Sequence, residues 1–248
     1  MTPVSAPTSS KSRRTGASAI LDLSIIIPPR QLGAHIDRCV AGCRGRVPGA
    51  EIIVVVPDGP LTAAAAALGR PLPAGAARIV SAPPGRGPQL NAGARAARGQ
   101  TLLFLHDDSV LPDEAKTLIE RAFDGTGSEL ACFQLRFDDP HWLLGVYGWF
   151  SRFDSLLTSF GDQGILVRRR FFDALGGFPD WPLFEDVELL RRARRRTLIR
   201  KLPGAITTSA VRYRRNGLVR QQINNGRLIL RYLLGTPPAR LAESYERG

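Results

Sequence analysis

Two adjacent carboxylates follow a short apolar run near the middle of the chain. The run from Leu102 to Leu105 is uninterrupted and therefore predicts a buried strand; His106, Asp107 and Asp108 follow it. Open α/β sheets bind ligands at the carboxyl ends of their strands. Adjacent carboxylates repel each other unless a cation or hydrogen-bond donors intervene, and oxygen ligands suit Mg²⁺ or Mn²⁺ beside a phosphate. The pattern indicates either such a cation site or a solvated turn, since Asp-Asp-Ser is also common in turns.

A second acidic pair lies where a helix is predicted to begin. Glu185 and Asp186 precede the apolar residues Val187, Leu189 and Leu190. The positive end of the helix dipole stabilises carboxylates in the first turn, which suits a general base that takes a proton from a hydroxyl. The alternative interpretation is that these are the acids commonly found at helix N-termini.

A loop rich in glycine and proline, Pro83 to Pro88, leads into a predicted helix from Gln89 to Arg98. The stretch from Gly85 to Gly93, which spans the end of this loop and the start of the helix, is a candidate phosphate site. Glycines at such a position let backbone N–H groups and the helix dipole face a phosphate. Arg86 would add a charge-assisted contact. A plain connecting loop is the alternative, because one glycine-rich loop is weak evidence for a phosphate site.

The elements around these residues alternate between strand and helix. Strands are predicted at Leu23–Ile27, Glu51–Val56, Arg78–Ala82 and Leu102–Leu105, and helices at Gly33–Gly42, Ala63–Leu68, Gln89–Arg98 and Pro112–Phe123. This order predicts a Rossmann-like α/β fold with a mixed, mostly parallel sheet flanked by helices. The period-two pattern of Leu130–Phe137 predicts an edge strand or a mixed-sheet strand. Residues 1–20 are predicted to form a disordered basic tail, and residues 21–248 a single domain.

The formal net charge of +12 favours polyanionic partners. The basic run from Arg191 to Lys201 is either a solvated face or a contact for anionic lipid or phosphate. The segment His141–Phe160 predicts an amphipathic helix, buried in the core by default and otherwise lying in a membrane interface. No nucleic acid is expected as a partner, because the basic residues are not interleaved with stacking aromatic residues. The three cysteines, Cys39, Cys43 and Cys132, are expected to be buried free thiols of a reducing cytosol.

The order of the motifs resembles the family-2 glycosyltransferases of GT-A fold. The chain reads Leu-Ser-Ile-Ile-Ile-Pro, Glu-Ile-Ile-Val-Val, Gly-Arg-Gly-Pro-Gln-Leu-Asn-Ala-Gly, Leu-Leu-Phe-Leu-His-Asp-Asp-Ser, Gly-Asp-Gln, Leu-Gly-Gly-Phe-Pro and Glu-Asp-Val-Glu-Leu. It most resembles the small bacterial subgroup often labelled arsenosugar-biosynthesis-type. The resemblance covers roughly residues 21–245.

This resemblance implies a metal-dependent, inverting transfer from a nucleotide-diphosphate sugar to an acceptor hydroxyl. Asp108 would hold Mg²⁺ or Mn²⁺, and Asp186, beside Glu185, would be the catalytic base. Asp162 and Gln163 would lie on the acceptor side. The donor side would be formed by Pro28, Arg86, Asn91, Gly93, His106 and Asp107. We expect a cytoplasmic enzyme in peripheral contact with the anionic inner membrane face, and a lipid-linked acceptor.

The sequence departs from the family pattern at three places. Pro28-Pro29-Arg30-Gln31-Leu32 replaces the usual Pro-Thr-x-Asn-Glu, and Val56-Pro57 stands where relatives carry an acid that reads the nucleobase. Arg214-Arg215-Asn216-Gly217 stands where the subgroup tends to have a His before the Gly. The first two changes affect the base and ribose pocket. The alternative hypothesis is therefore a catalytically degenerate GT-A protein that acts as a binding or scaffold module.

Overall fold

A computed structural model describes residues 22–29, 33–59, 77–125 and 127–246, with side chains as far as Ala242. Within these ranges the strands are β1 (Leu23–Ile27), β2 (Glu51–Pro57), β3 (Ala77–Ala82), β4 (Thr101–Phe104), β5 (Leu130–Phe137), β6 (Ile165–Arg168) and β7 (Ile199–Thr208). The α-helices are α1 (Ala34–Arg46), α2 (Arg86–Ala96), α3 (Ala115–Glu120), α4 (Trp142–Phe150), α5 (Arg169–Leu175), α6 (Glu185–Arg194), α7 (Val211–Asn216), α8 (Leu218–Leu233) and α9 (Pro238–Glu246).

The described strands form one mixed sheet in the order β3-β2-β1-β4-β6-β5-β7. β3, β2, β1 and β4 are parallel, β6 runs antiparallel to both of its neighbours, and β5 is parallel to β7. The predicted α/β fold class, a mostly parallel sheet flanked by helices, is confirmed. β5 lies inside the sheet, which decides between the two alternatives left open for Leu130–Phe137 in favour of a mixed-sheet strand.

The core lies in two layers, one on each face of the sheet. α1 and α3 cover one face, where Ile36, Val40 and Ile119 belong to one apolar cluster with residues of β1, β2 and β7. α2, α5 and α6 cover the other face. Because both faces of β1 and β2 are covered, these strands are continuous apolar runs rather than alternating ones.

Two predicted segments lie outside the described residues, namely the tail 1–20 and the helix Ala63–Leu68. Of the other predicted helices, α2 begins at Arg86 rather than Gln89, and α3 occupies only the middle of Pro112–Phe123. The three cysteines are buried and free, as predicted. Among the described residues, no helix combines the length and apolar character needed to cross a bilayer.

The default expectation that the segment His141–Phe160 is buried in the core is wrong. Its helix, α4, buries Leu144 and packs Tyr147 against Phe137 of β5. Trp142 is 71% exposed, and the other large apolar residues that remain exposed in this segment are Val146, Trp149, Phe150, Phe153 and Leu157. A helix at the margin of a sheet has protein on one side only, so an apolar composition all round leaves one face uncovered.

Candidate active site

The carboxyl end of β4 places three polar residues at the edge of the sheet. The N–H of Leu105 donates to the carbonyl of Ile26 and extends the pairing with β1 by one residue. The chain then turns, and the N–H of Ser109 closes this turn on the carbonyl of His106. His106, Asp107 and Asp108 all line a cleft of about 380 Å³. The prediction that the acidic pair lies at this edge of the sheet is therefore confirmed.

The two carboxylates of this turn have different surroundings. Asp107 Oδ2 lies 3.3 Å from Nε2 of His35, a residue of α1 that sequence reasoning did not identify. Burial, and then the charge of Asp107, raise the pKa of Asp108; Arg86 and Arg212 offset this in part. The side chain of Asp108 is exposed, so its carboxylate is open to the cleft.

Asp108 is the carboxylate that fits a cation site. Among the described residues, no group of three His, Cys, Asp or Glu side chains is arranged to hold a metal ion. Mg²⁺ commonly takes one or two protein carboxylates and completes its shell with water and substrate phosphate. The environment of Asp108 suits that arrangement, since a cation would supply the charge that the protein lacks there.

Asp186 is held at the first turn of α6 by two backbone donors. The N–H of Gly161 donates to Oδ2 at 2.5 Å, and the N–H of Val187 donates to Oδ1 at 2.8 Å. Gly161 opens a short 3-10 helix, Gly161–Gln163. An alanine Cβ at position 161 would lie 2.9 Å from Asp186 Oδ2, so the carboxylate occupies space that a side chain would need.

Asp162 lies behind Asp186 in the same cleft. Burial, and then the charge of Asp186, raise the pKa of Asp162 to about 7, against the opposing effect of Lys201. Its Oδ1 atom is buried and has no hydrogen-bond partner among the described residues. A carboxylate with a raised pKa in a cleft is typical of sites that handle protons.

Glu185 points to a different partner from its neighbour. It is only 3% exposed, and its Oε1 lies 2.9 Å from Nε of Arg86 in an ion pair. Arg86, in the first turn of α2, also contacts Nε2 of His106. Glu185 thus neutralises the guanidinium group of Arg86 and holds it in place, which distinguishes it from Asp186 as a candidate base.

The residue before this pair, Phe184, adopts a left-handed conformation with φ 64° and ψ 20°. Its ring lies 4.9 Å from the ring of Tyr232 of α8, centroid to centroid. A non-glycine residue in this region costs about 1–3 kcal/mol and persists only where its surroundings hold it. The packing of α8 therefore helps to fix the start of α6 and the direction of its acidic pair.

A second cleft, of about 610 Å³, adjoins the first. Both clefts are lined by Arg86, Arg212 and Gln221. The second is further lined by residues from several strand ends and from the C-terminal helices, among them Pro29, Pro57, Pro84, Arg215, Asn216 and Asn224. Its lining among the described residues includes prolines and arginines but no acidic residue.

A sequence profile of the family described as glycosyl transferase family 2 matches residues 24–179, more than half of the chain. The chain belongs to this family. The matched stretch includes Asp108 and Asp162 and ends before Asp186. None of the curated protein sequences compared with the chain matches it.

Solved structures of glycosyltransferases share the fold of this family 2 chain. A mannosyltransferase from Pyrobaculum calidifontis, in complex with GDP-Man and Mn²⁺, superposes with a TM-score of 0.59 at 16% identity, over 90% of this chain and 68% of that one. S. aureus TarS 1-349 gives 0.54 at 15% identity, over 76% and 60% of the two chains. The same TarS fragment in complex with UDP-GlcNAc gives 0.55 at 15% identity, over 75% and 58%. The chain thus spans less than two thirds of the TarS fragment.

Several residues predicted for the site of this family 2 chain line neither cleft. Asn91 donates to the carbonyl of Phe178 and accepts from its N–H, both at 2.9 Å. Gly93 allows α2 to approach β1 and β2, since a Cβ there would lie 2.4 Å from Ile26 Cγ2. Pro28 is buried behind the cleft at the end of β1. These three residues therefore support the clefts from within the protein and do not line them.

Gln163 is also internal, although its neighbour Asp162 lines the cleft. It is 1% exposed, donates to the carbonyl of Thr158, and accepts from Nζ of Lys201, both at 2.5 Å. Lys201 lies in β7, and burial lowers its pKa. Sequence reasoning missed Lys201 because it is one basic residue in an arginine-rich run, and nothing local marks it as inward-facing.

The C-terminal helices contribute a wall that sequence reasoning also missed. Arg212 and Tyr213 of α7 and Gln221 and Asn225 of α8 line the first cleft. The family profile ends before these residues, and no motif marks them. The signal available in the sequence was the helical spacing of Gln221 and Asn225, which are four residues apart on one face of α8.

Proposed function

We propose that the first cleft catalyses metal-dependent transfer of a sugar, with inversion at the anomeric carbon, from a nucleotide-diphosphate sugar to an acceptor hydroxyl. One observation carries the proposal: Asp108 and Asp186 line the same cleft but have different environments. The carboxylate of Asp108 is exposed and stands next to Asp107, which suits a cation, whereas backbone donors orient Asp186, which suits a base.

The donor is proposed to lie across both clefts. Arg86 and Arg212 line both, and guanidinium groups bind phosphate oxygens through charge-assisted hydrogen bonds. The proline-lined second cleft then receives the nucleoside. The mannosyltransferase structure holds GDP-Man and one TarS structure holds UDP-GlcNAc, which supports a nucleotide sugar as the donor class.

Asp186 is proposed as the base. The N–H groups of Gly161 and Val187 fix both carboxylate oxygens. As the acceptor hydroxyl attacks the anomeric carbon, the proton passes to Asp186, and the bond to the nucleotide diphosphate breaks. One displacement inverts the configuration and needs one base, in contrast to hydrolysis by a pair of carboxylates. Glu185 acts through Arg86, which it holds in place.

Asp108 is proposed to hold Mg²⁺ or Mn²⁺, with Asp107 beside it. When bound, a divalent cation stabilises the negative charge that develops on the leaving nucleotide diphosphate. Arg86 and Arg212 add positive charge near the same carboxylate. The protein groups therefore bind and orient the diphosphate on one side of the cleft, and Asp186 and Asp162 receive the acceptor on the other.

The acceptor and the place of reaction are part of the proposal as well. We propose a lipid-linked acceptor at the cytoplasmic face of the inner membrane, supported by the exposed apolar face of α4 beside the site. The arsenosugar-type subgroup remains a prediction from the order of the motifs.

A second candidate function is a non-catalytic nucleotide-binding or scaffold module. The observation that favours it is the lining of the second cleft by Pro29, Pro57 and Pro84, with no acidic residue in the described part of the chain placed there to read a nucleobase or ribose. Such a protein would still use Arg86 and Arg212 for phosphate.

The two functions are separated by a thermal-shift screen of nucleoside diphosphates and nucleotide sugars, with and without Mn²⁺, followed by a transfer assay. Binding raises the melting temperature by mass action. We expect Asp108→Asn to lose the Mn²⁺-dependent shift. Asp186→Asn should keep that shift and lose transfer by about 100-fold or more. Asp113→Asn is the matched control, since that carboxylate is 92% exposed.

Each result decides between the candidates. Binding without turnover, unchanged in Asp186→Asn, supports the binding module and contradicts transfer. Absence of any shift with every nucleotide tested contradicts both functions. Turnover that survives in Asp186→Asn contradicts the assignment of the base.

A further inference from the structure

The outer face of α8 carries a contiguous apolar sector that nothing in the described structure covers. Its members are Val219 at 62% exposure, Ile223 at 57%, Leu230 at 57%, Leu233 at 48% and Leu234, just after the helix, at 76%. With about 100° of rotation per residue, these side chains fall within an arc of about 100°. Isolated exposed apolar residues are ordinary, but five in one arc mark an interaction surface.

Two arginines border this sector on one side. Arg220 and Arg227 fall within about 40° of its edge on the helix wheel. Both are exposed, and neither makes a hydrogen bond or an ion pair with a described residue. The opposite side of α8 is polar where it lines the first cleft, through Gln221 and Asn225, and apolar where Leu228 packs inside.

The charge around α8 is one-sided. From Leu189 to Ala242 the sequence has fourteen arginine and lysine residues and no acidic residue. The arginines of α6, which the sequence offered as a lipid contact, are engaged within the protein. Arg191 bonds Glu188, Arg192 bonds the carbonyls of Leu175 and Gly177, and Arg194 bonds Asp154. The basic groups left for an external partner therefore include Arg220 and Arg227 of α8.

A second exposed apolar face lies on α4. Leu144 and Tyr147 of α4 and Leu218 of α8 join one apolar cluster around Tyr213. The outward side of α4 presents Trp142 and Trp149, and Trp149 packs against Phe150 and Phe153 with ring centroids 5.1 and 5.2 Å apart. Tryptophan is the side chain enriched at the level of lipid headgroups.

We propose that the outer face of α8, together with the aromatic face of α4, docks the protein on an anionic lipid bilayer. Apolar side chains bordered by unpaired arginines, without acids, match acyl chains beneath negative headgroups. A nucleic acid would not take up the apolar sector. Because α8 has the bilayer on one side and the first cleft on the other, docking brings a membrane-borne acceptor close to Asp186. The docking itself goes beyond sugar transfer and does not require it.

The test is partition of the full chain onto vesicles, measured by co-sedimentation. Vesicles of phosphatidylcholine with 30% phosphatidylglycerol, a proportion of about one charge in three lipids, are compared with pure phosphatidylcholine. We expect binding to the anionic vesicles only. Arg220→Gln/Arg227→Gln should weaken it about 30-fold, since each arginine contributes about fivefold. Ile223→Glu/Leu230→Glu should weaken it by more than about 100-fold.

Two matched variants carry the same chemical changes elsewhere. Arg95→Gln/Arg98→Gln removes two exposed charges, one in the last turn of α2 and one just after it, and Leu198→Glu adds an acid at a leucine that is 83% exposed. Both should bind like the wild type. Brominated lipid should quench tryptophan fluorescence, and less so in Trp142→Phe/Trp149→Phe.

Three results would overturn the proposal. The first is no binding of the wild type to anionic vesicles, and the second is equal loss in the variants and their controls. The third is a dimer in sedimentation velocity without lipid that Ile223→Glu/Leu230→Glu abolishes, because the face would then be a contact between copies. Loss of vesicle binding with nucleotide binding intact would separate this proposal from sugar transfer.

Discussion

Replacing Gly161 with alanine moves Asp186 without removing it. The added Cβ would lie 2.9 Å from Asp186 Oδ2 and 3.2 Å from its Cβ, whereas non-bonded heavy atoms prefer about 3.5–4.0 Å. The carboxylate must therefore shift by roughly 0.5–1 Å, and its 2.5 Å hydrogen bond from the Gly161 N–H is broken or bent. The same Cβ would lie 3.3 Å from His106 Nε2, a contact that a few tenths of an ångström relieve.

The magnitude follows from what the carboxylate does. A misplacement of about 1 Å at a reacting group can cost about 100-fold in rate, and a general base contributes about 10²–10⁴-fold. We expect kcat to fall by about 100-fold. The KM for the donor should stay within about threefold, because Arg86 and Asp108 keep their surroundings.

The fold should survive this change. Gly161 does not occupy the left-handed region, and the atoms that its Cβ would meet belong to side chains. Alanine also lowers the entropy of the unfolded chain, which contributes about 0.4–1 kcal/mol to stability. The melting temperature should therefore change by only a few degrees.

The assay is a set of initial rates of sugar transfer at varied donor concentration, beside a thermal melt. Gly45→Ala is the matched control: it lies in α1, and a Cβ there meets nothing within 4 Å. Its rate should equal that of the wild type. Full kcat in a folded Gly161→Ala protein would refute the reasoning, as would an equal loss in Gly45→Ala.

Three further predictions concern the same site. The pKa of Asp162 is raised to about 7 from an ordinary value near 4, so the folded state binds the extra proton. The contribution of Asp162 to the free energy of unfolding should therefore fall by roughly 2–4 kcal/mol as pH rises from about 4 to 7, and stay level above pH 7. In urea unfolding, Asp162→Asn should remove this pH dependence, and an unchanged pH dependence in that variant would contradict the prediction. Arg86→Gln should destabilise the protein by about 3–5 kcal/mol, because Glu185 would stay buried without its ion pair to Arg86. Arg86→Gln/Glu185→Gln should recover most of the loss, and a double variant as unstable as the single one would contradict this reasoning. Asn91→Ala should cost about 1–3 kcal/mol of stability, since both backbone groups of Phe178 lose their partner, with the KM for the donor unchanged. A raised KM with normal stability would return Asn91 to the donor side.

The sheet was predictable because its signal is local. β1, β2 and β4 are short, mostly apolar runs, and such runs are typical of strands covered on both faces. Strand direction then places whatever follows them at one edge. This reasoning alone predicts that His106, Asp107 and Asp108 lie at the carboxyl edge of the sheet.

The division of labour within the site was not predictable. Asn91 and Gln163 carry the polar groups expected of ligand-binding residues, yet the side chain of each forms hydrogen bonds with backbone or side-chain partners inside the protein. Their partners are Phe178, Thr158 and Lys201, of which two lie more than thirty residues away in the sequence. No local pattern records such pairs.

The amino-acid sequence by itself determined the alternation of strands and helices in the first half, the family pattern and the position of Asp107 and Asp108 at the edge of the sheet. Only the tertiary structure decided what each carboxylate does. Glu185 is paired with Arg86, the partly buried Asp162 has a raised pKa, and Asp186 is held between two N–H groups. The physical reason is that the charge of a carboxylate depends on burial and on neighbours within a few ångströms, and folding brings those neighbours from distant parts of the chain.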